Sequence, residues 1–486
     1  MENTDFGLKR NLTMLMDFYE LTMSNGYFVN GMQDIEVVFD MFFRKIPEGG
    51  GFALFAGLEQ LVEYLKNLHF TVEDIEFLRS KKVFDEAFLQ YLADFDFVCD
   101  VWAMQEGTPM FPNEPIIVVK GPVAQAQLVE TMVLLTINHQ SLIATKANRI
   151  VRAAQGRSVM EFGSRRAQSY DAAIFGARAA FIGGCSSTAL TLLERDYNVP
   201  AVGTMAHSWV QLFDSEYESF KSYASIYPDN CTLLVDTYNT LRSGVPNAIK
   251  VFDEVVVPAG FRPKAIRIDS GDIAYLSKRS RKMLDEAGYG DVKIIASNSL
   301  DEYIIRDLLI QGAQVDMFGV GEKLITSKAE PVFGGVYKLV AVKERGAWQP
   351  RIKISETVEK ITTPGFKKGT RIISRETGQA IADYISWFDE EIDPEQPLEL
   401  FDPNAVWKKR TVQHFDTKNL LEPIFVGGKC VYNLPGLREI QTYCSAEVDA
   451  LWEEVKRFEH PHSYYVDLSL KLWQTKQDLL MQMSSN

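Results

Sequence analysis

Apolar residues recur along this chain with two different periods. From Phe55 to Leu68 they fall at helical spacing (FAGLEQLVEYLKNL), whereas Ile35 to Phe43 (IEVVFDMFF) is a run rich in β-formers. A longer helical period runs from Gln127 to Ala154, carried by Leu128, Met132, Leu135, Ile143 and Ile150 without an internal Gly or Pro. It ends at the Gln155-Gly156 break and reads as a connecting helix.

Between about residues 157 and 330 the texture becomes an alternation: a short apolar strand ends in Gly, Ser, Asp or Asn, and a helical segment follows. The predicted strands are Ser158 to Phe162, Ala201-Val202, Leu233 to Val235, Ile266 to Ile268, Ile294-Ile295 and Met317-Phe318, with a seventh near Phe181 to Gly184. Tyr275 to Ala287 and Glu302 to Gln311 are among the helices between them. Repeated βα units predict an α/β fold with a parallel sheet that can close into an irregular barrel; the same alternation also fits an open doubly wound sheet. In a barrel the loops after the strands converge on one face, so polar strand ends become the candidate site.

Beyond Thr326 the alternation dissolves. Gly334 to Val340 begins an extended stretch, and residues 350–380 alternate like strands. The expected organisation is an N-terminal α+β domain (1–125), the α/β barrel (126–330), a return segment packing with the N-terminal domain (331–397) and a helix-rich C-terminal extension (398–486). Its aromatics Trp452, Tyr464, Tyr465 and Trp473 read as packing residues.

The length of 486 residues suits two or three domains at roughly 150 residues each. A net charge of −14 disfavours a surface built to neutralise nucleic-acid phosphates or anionic lipid, so an anionic ligand must be held by local devices. No stretch matches a membrane span and the N-terminus does not read as a signal peptide, which predicts a cytoplasmic protein. Five scattered cysteines without a C-x-x-C pair predict reduced thiols and neither a disulfide framework nor a zinc site.

The strand ends carry the candidate chemistry. Arg165 and Arg166 can clamp a phosphate or carboxylate, or lie on the surface. Gly183 to Thr188 reads as the start of a helix, whose free N–H groups suit an anion and whose hydroxyls equally suit a plain cap. His207, among small residues, can act as base, acid or nucleophile, against the commoner structural role of a lone histidine. Arg267 with Asp269-Ser270-Gly271-Asp272 sets two carboxylates on a turn, fitting ribose hydroxyls, hydrated Mg2+ or an ordinary Asx turn. Gly319-Val320-Gly321 exposes backbone N–H groups after a late strand, as phosphate cradles do.

Taken together, Met16 to Met23 (MDFYELTM), Glu161 to Arg166 (EFGSRR), Gly203 to Ser208 (GTMAHS), Val235 to Tyr238 (VDTY), Arg267 to Asp272 (RIDSGD) and Gly334 to Leu339 (GGVYKL) resemble, in order, the motifs of the nicotinate phosphoribosyltransferases. The resemblance implies a type II phosphoribosyltransferase barrel. It implies that nicotinate and phosphoribosyl pyrophosphate give nicotinate mononucleotide and pyrophosphate, with Mg2+ as cofactor and ATP as co-substrate. His207 would be phosphorylated by ATP; Phe162 and Tyr19 would sandwich the pyridine ring, Tyr19 coming from the second subunit of a homodimer. Arg165 and Arg267 would hold phosphates or the nicotinate carboxylate, Thr204 would lie beside the base, and Gly319 and Gly321 would receive the 5′-phosphate. Asp269 would serve the ribose or metal region, with Asp272 as a further metal ligand. The neutral Gly183 to Thr188 stretch stands where amide-using relatives place an acid, and Ser186 would favour the carboxylate. Nicotinamide or quinolinate phosphoribosyl transfer is the alternative; a silent phosphoribosyl sensor would be expected to lack His207, Asp269 and Asp272.

Overall fold

The computed structural model describes residues 10–357 and 360–484. Two compact units emerge, one from residues 143–331 and one from 1–142 together with 332–486.

The 143–331 unit is built on six parallel strands in the spatial order Ser187–Thr188, Ser158–Glu161, Met317–Val320, Lys293–Ser297, Ala265–Ile268 and Thr232–Leu234. The strands are short and almost wholly buried, as expected when helices cover both faces of a parallel sheet. Leu233, Ile266, Ile268, Ile294 and Phe318 are fully buried, each contributing about 1.5–3 kcal/mol relative to exposure. Ser169, Ser215, Asp272 and Asp301 open the helices Tyr170–Ile182, Glu216–Ile226, Ile273–Glu286 and Glu302–Ile310 by accepting a backbone N–H from the first turn.

The sheet is a curled half-barrel whose edge strands do not pair with each other. Two predicted strands change. Phe181 and Ile182 end the helix begun at Ser169, because their apolar run continues its buried face, and the strand forms later at Ser187–Thr188. Ala201 contributes a single bridge to Thr188.

In the other unit, a seven-stranded sheet runs Ala347–Pro350, Val336–Glu344, Glu36–Phe42, Ile117–Pro122, Asp100–Ala103, Glu422–Val426 and Lys429–Cys430, with antiparallel neighbours. Strand Glu36–Phe42 therefore lies between Ile117–Pro122 and the sequence-distant Val336–Glu344, and Phe39 stacks on Tyr337 at 4.8 Å. A four-stranded sheet joins Phe415–Asn419, Lys367–Ser374, Ala380–Trp387 and Val466–Leu468. The C-terminal helices are Leu437–Asp449 and Leu470–Ser484; residues 398–430, expected within a helix-rich extension, form five strands before them. Of the 350–380 alternation, Lys367–Ser374 is the long strand. The predicted connecting helix spans Glu130–Ala153 and passes from one unit into the other along the chain.

Candidate active site

Parallel strands put their carboxyl ends on one side of the sheet, and a charged network is assembled there. Arg267, near the end of Ala265–Ile268, donates through Nε to Ser297 Oγ (2.8 Å), through Nη1 to Thr204 Oγ1 (3.0 Å) and through Nη2 to Asp269 Oδ1 (2.8 Å). Ser297, ending the adjacent strand, donates its own hydroxyl to the same Asp269 oxygen. Three of the five guanidinium N–H groups are thus used, which fixes the plane of Arg267 and leaves two donors for a ligand.

Asp236, at the end of Thr232–Leu234, braces the turn from beneath. Its Oδ2 accepts from the backbone N–H of Asp269 (3.0 Å) and from Ser270 Oγ (2.6 Å), while its buried Oδ1 has no hydrogen-bond partner. His207 begins a short helix, His207–Gln211; Nδ1 lies 3.1 Å from Thr237 Oγ1 and Nε2 lies 3.7 Å from Asp269 Oδ2. His207, Thr204, Arg267 and Asp269 are therefore brought together.

Phe162 joins them. Its backbone N–H donates to Val320 O (2.8 Å), and the Arg267 guanidinium carbon lies 5.6 Å from its ring centroid. Gly319 makes room for the ring, because a Cβ there would meet Phe162 Cδ2 at 2.6 Å. At Gly321 a Cβ would stand 3.0 Å from Phe162 O. Both glycines thus permit close approach of the strand ends. The preceding residue, Glu161, is buried; one oxygen accepts from the Gly163 N–H and the other from Thr188 Oγ1 (2.7 Å). Burial pushes its carboxyl above the usual range, and these two hydrogen bonds restrain the rise.

The remaining predicted residues lie differently. Arg165 is exposed on the short turn Ser164–Arg166. Asp272 caps Ile273–Glu286 by accepting from Tyr275 N (2.9 Å). Ser186 stands just before strand Ser187–Thr188, at the amino end of the sheet, bonded to Ser158 Oγ (2.6 Å) and Val159 O (3.1 Å). No helix starts there, which removes the helix N-terminus on which its carboxylate-binding role rested. Tyr19 belongs to the other unit, 43% exposed on helix Phe18–Val29, with its hydroxyl pKa raised by burial and by Glu130.

Sequence reasoning assigned no role to Ser297, Asp236, Thr237 or Glu161. Three of these were visible as polar strand ends; Glu161 was hidden because a buried carboxyl inside a strand resembles an ordinary polar position.

The donor set is one of hard oxygens. Among the described residues no group of three or more His, Cys, Asp or Glu side chains forms a metal cage. The unpartnered Asp236 Oδ1 beside Asp269 nevertheless fits Mg2+, which commonly takes one or two carboxylates and completes its shell with water and substrate phosphates.

Fold and site together define a parallel α/β half-barrel with a cluster of arginine, aspartate, serine, threonine and histidine side chains at the carboxyl ends of its strands. Three family models match in succession: the nicotinate phosphoribosyltransferase (NAPRTase) N-terminal domain over residues 14–138, the nicotinate phosphoribosyltransferase (NAPRTase) family over 157–363 and the nicotinate phosphoribosyltransferase C-terminal domain over 366–476. The nicotinate phosphoribosyltransferase of Bacillus subtilis (strain 168) is 44% identical over 482 residues, covering 99% of this chain and 98% of the relative. The Homo sapiens enzyme of that name is 31% identical over 519 residues, covering 94% and 95%. The crystal structure of human nicotinic acid phosphoribosyltransferase superposes with a TM-score of 0.85 at 29% identity, over 95% of this chain and 99% of that one. The chain belongs to the nicotinate phosphoribosyltransferase family.

Among the described residues no helix is long and apolar enough to cross a membrane.

Proposed function

We propose that this chain transfers the phosphoribosyl group of phosphoribosyl pyrophosphate to nicotinate, releasing pyrophosphate, and couples the transfer to ATP hydrolysis through a phosphohistidine at His207. The observation that carries the reading is the Arg267–Ser297–Asp269 network set against Phe162 and His207.

In this reading the pyridine ring stacks on Phe162 and its carboxylate accepts from the two unused N–H groups of Arg267, or from Arg165, exposed on the Ser164–Arg166 turn. As the C1–pyrophosphate bond breaks, positive charge develops on the sugar, and the carboxylate of Asp269 would stabilise that charge. The ring nitrogen of nicotinate forms the new bond to C1, and pyrophosphate departs with the bonding electrons. Mg2+, held by Asp236 and Asp269 together with the substrate phosphates, would supply charge neutralisation for that departure. Asp272 serves the helix that follows Asp269 and so supports the turn. Most of the rate comes from positioning and electrostatics, and no side-chain nucleophile takes part in the glycosyl step.

The histidine step is separate. With Nδ1–H donating to Thr237 Oγ1, Nε2 carries the lone pair and attacks the γ-phosphorus of ATP; ADP leaves, and water later hydrolyses the P–N bond to inorganic phosphate. A phosphoryl group on Nε2 places negative charge next to Asp269, altering the pyrophosphate end of the site at each turnover.

The reading includes a homodimer with Tyr19 supplied to the partner's site. Phe18, Tyr19 and Met23 are 51, 43 and 39% exposed on one helix, an apolar face suited to such a contact.

The test is product formation from nicotinate, phosphoribosyl pyrophosphate and Mg2+, with and without ATP, beside His207→Ala. The wild type should form nicotinate mononucleotide faster with ATP and take label from γ-labelled ATP, and the variant should take none. Product from nicotinamide or quinolinate but not from nicotinate would reassign the substrate; label persisting in the variant would move the phosphorylation elsewhere.

A further inference from the structure

A cavity of about 1390 Å3 lies wholly within the unit of residues 1–142 and 332–486, and none of the residues of the strand-end cluster lines it. Its walls include parts of strands Leu398–Asp402, Ala405–Val412 and Val466–Leu468 and of helix Leu470–Ser484. Five cationic side chains, Arg44, Lys408, Lys409, Arg410 and Lys476, face it against two carboxylates, Asp402 and Asp467. Such an excess is unexpected on a chain of net charge −14.

Two of the cations are already engaged. Lys409 pairs with Glu399 at 3.2 Å, and Arg410 donates to Ile381 O while stacking over Tyr465 at 4.3 Å. Lys476 and Arg44 have only uncharged partners: the Arg44 guanidinium carbon lies 5.4 Å from the Phe42 ring centroid. Lys476 Nζ reaches Thr363 Oγ1 at 3.3 Å, and neither it nor Arg44 forms an ion pair among the described residues. Arg44 Nε is buried without a hydrogen-bond partner. Burial, and then the nearby charge of Lys367, push the Lys476 ammonium down to about 8, and burial also lowers the Arg44 guanidinium.

Removing cations from water without a counter-charge is unfavourable, and the same groups become favourable contacts when an anion enters. Lysine serves as a point charge toward phosphate and arginine as a forked donor, so the pair suits phosphoryl oxygens. We propose that this cavity is a second anion site, built from residues other than the strand-end cluster, that takes a soluble compound carrying two or more phosphoryl groups.

The test is calorimetric titration of the full chain with inorganic tripolyphosphate and, in parallel, ATP. Two binding events per chain are expected with tripolyphosphate. Lys476→Gln should weaken one of them about tenfold with kcat for nicotinate unchanged, and Arg267→Gln should weaken the other. Tighter binding of ATP than of tripolyphosphate at the Lys476-dependent event would assign the ligand as a nucleotide, and the reverse as an inorganic or non-aromatic polyphosphate. A wild-type readout needs no variant: tripolyphosphate should slow amine acylation of Lys476, followed by mass spectrometry of the modified peptide. Equal acylation with and without it, or two events both indifferent to Lys476→Gln, would overturn the proposal.

Discussion

Two charged clusters in the half-barrel unit use the same chemistry to opposite ends. In one, Glu302 at the start of its helix accepts through Oε1 from Lys146 Nζ and Arg149 Nε at 3.0 and 2.9 Å, and all three side chains are at most 4% exposed. In the other, Arg267 and Asp269 pair at 2.8 Å with 16 and 29% exposure, and His207 stands beside them 40% exposed. Burial by itself would raise the Glu302 carboxyl, but Lys146 and then Arg149 outweigh it and hold the carboxyl below its usual range. That cluster has turned its charges inward. The strand-end cluster keeps donors and acceptors directed at space, which a ligand can fill. What separates a structural network from a binding one here is where the unused hydrogen-bonding capacity points, since both contain a carboxylate, a guanidinium and a third titratable group.

The comparison breaks most visibly at Glu302. Glu302→Ala leaves two buried cations short of their counter-charge, which costs about 3–5 kcal/mol. Thermal denaturation should show a midpoint lower by about 10 °C. An unchanged midpoint would mean the cluster is wetter than its burial indicates. Activity at a temperature where the variant stays folded should be close to wild type.

Arg267→Gln should do the converse. The amide cannot span Ser297, Thr204 and Asp269 while offering charge to a ligand, so the turnover number is expected to fall about 10²- to 10³-fold, with a melting shift much smaller than that of Glu302→Ala. Steady-state kinetics and denaturation on one preparation check both halves. A large melting shift with modest kinetic loss would make the open cluster structural after all.

The residues of the open cluster were legible in the sequence to unequal degrees. Arg267 and Asp269 are two positions apart on one strand end, and the βα alternation alone placed them at the rim. Ser297, 28 residues beyond Asp269, joins them only because Lys293–Ser297 lies next to Ala265–Ile268 in the sheet, an adjacency the alternation does not specify. The role of Gly319 is equally a product of pairing: its strand neighbours Ser158–Glu161, which brings the Phe162 ring against the missing Cβ. Short elements account for the errors. A two-residue strand such as Ser187–Thr188 carries no period, so the apolar end of the preceding helix was read in its place. In the 398–430 region, Ala405–Val412 exposes six consecutive residues, and an unburied strand lacks the alternation by which strands are recognised.

A third carboxyl sharpens the contrast from the other unit. Glu20 is fully buried, like Glu302, but its surroundings contain no paired cation: Thr131 donates through its backbone N–H (3.1 Å) and its hydroxyl to Oε1, and buried Oε2 has no partner. Burial raises its pKa to about 7, Glu130 adds to the rise and the Thr131 hydrogen bonds hold it back. A carboxyl whose folded pKa exceeds its unfolded value of 4.5 binds more protons in the folded state across the interval. Its ionisation therefore costs nothing at low pH and costs progressively more as pH rises from about 4.5 to about 7. Glu20→Gln keeps an acceptor for Thr131 and removes the ionisation. The variant should match the wild type near pH 4 and exceed it by about 1–2 kcal/mol at pH 8, as read by urea denaturation at a series of pH values. Glu302 predicts the opposite sign, because a depressed carboxyl stabilises above its unfolded pKa and loses that contribution on acidification. If the Glu20→Gln difference stayed constant across the series, burial would have been compensated at Glu20 as it is at Glu302, and the presence of a paired cation would no longer distinguish the two.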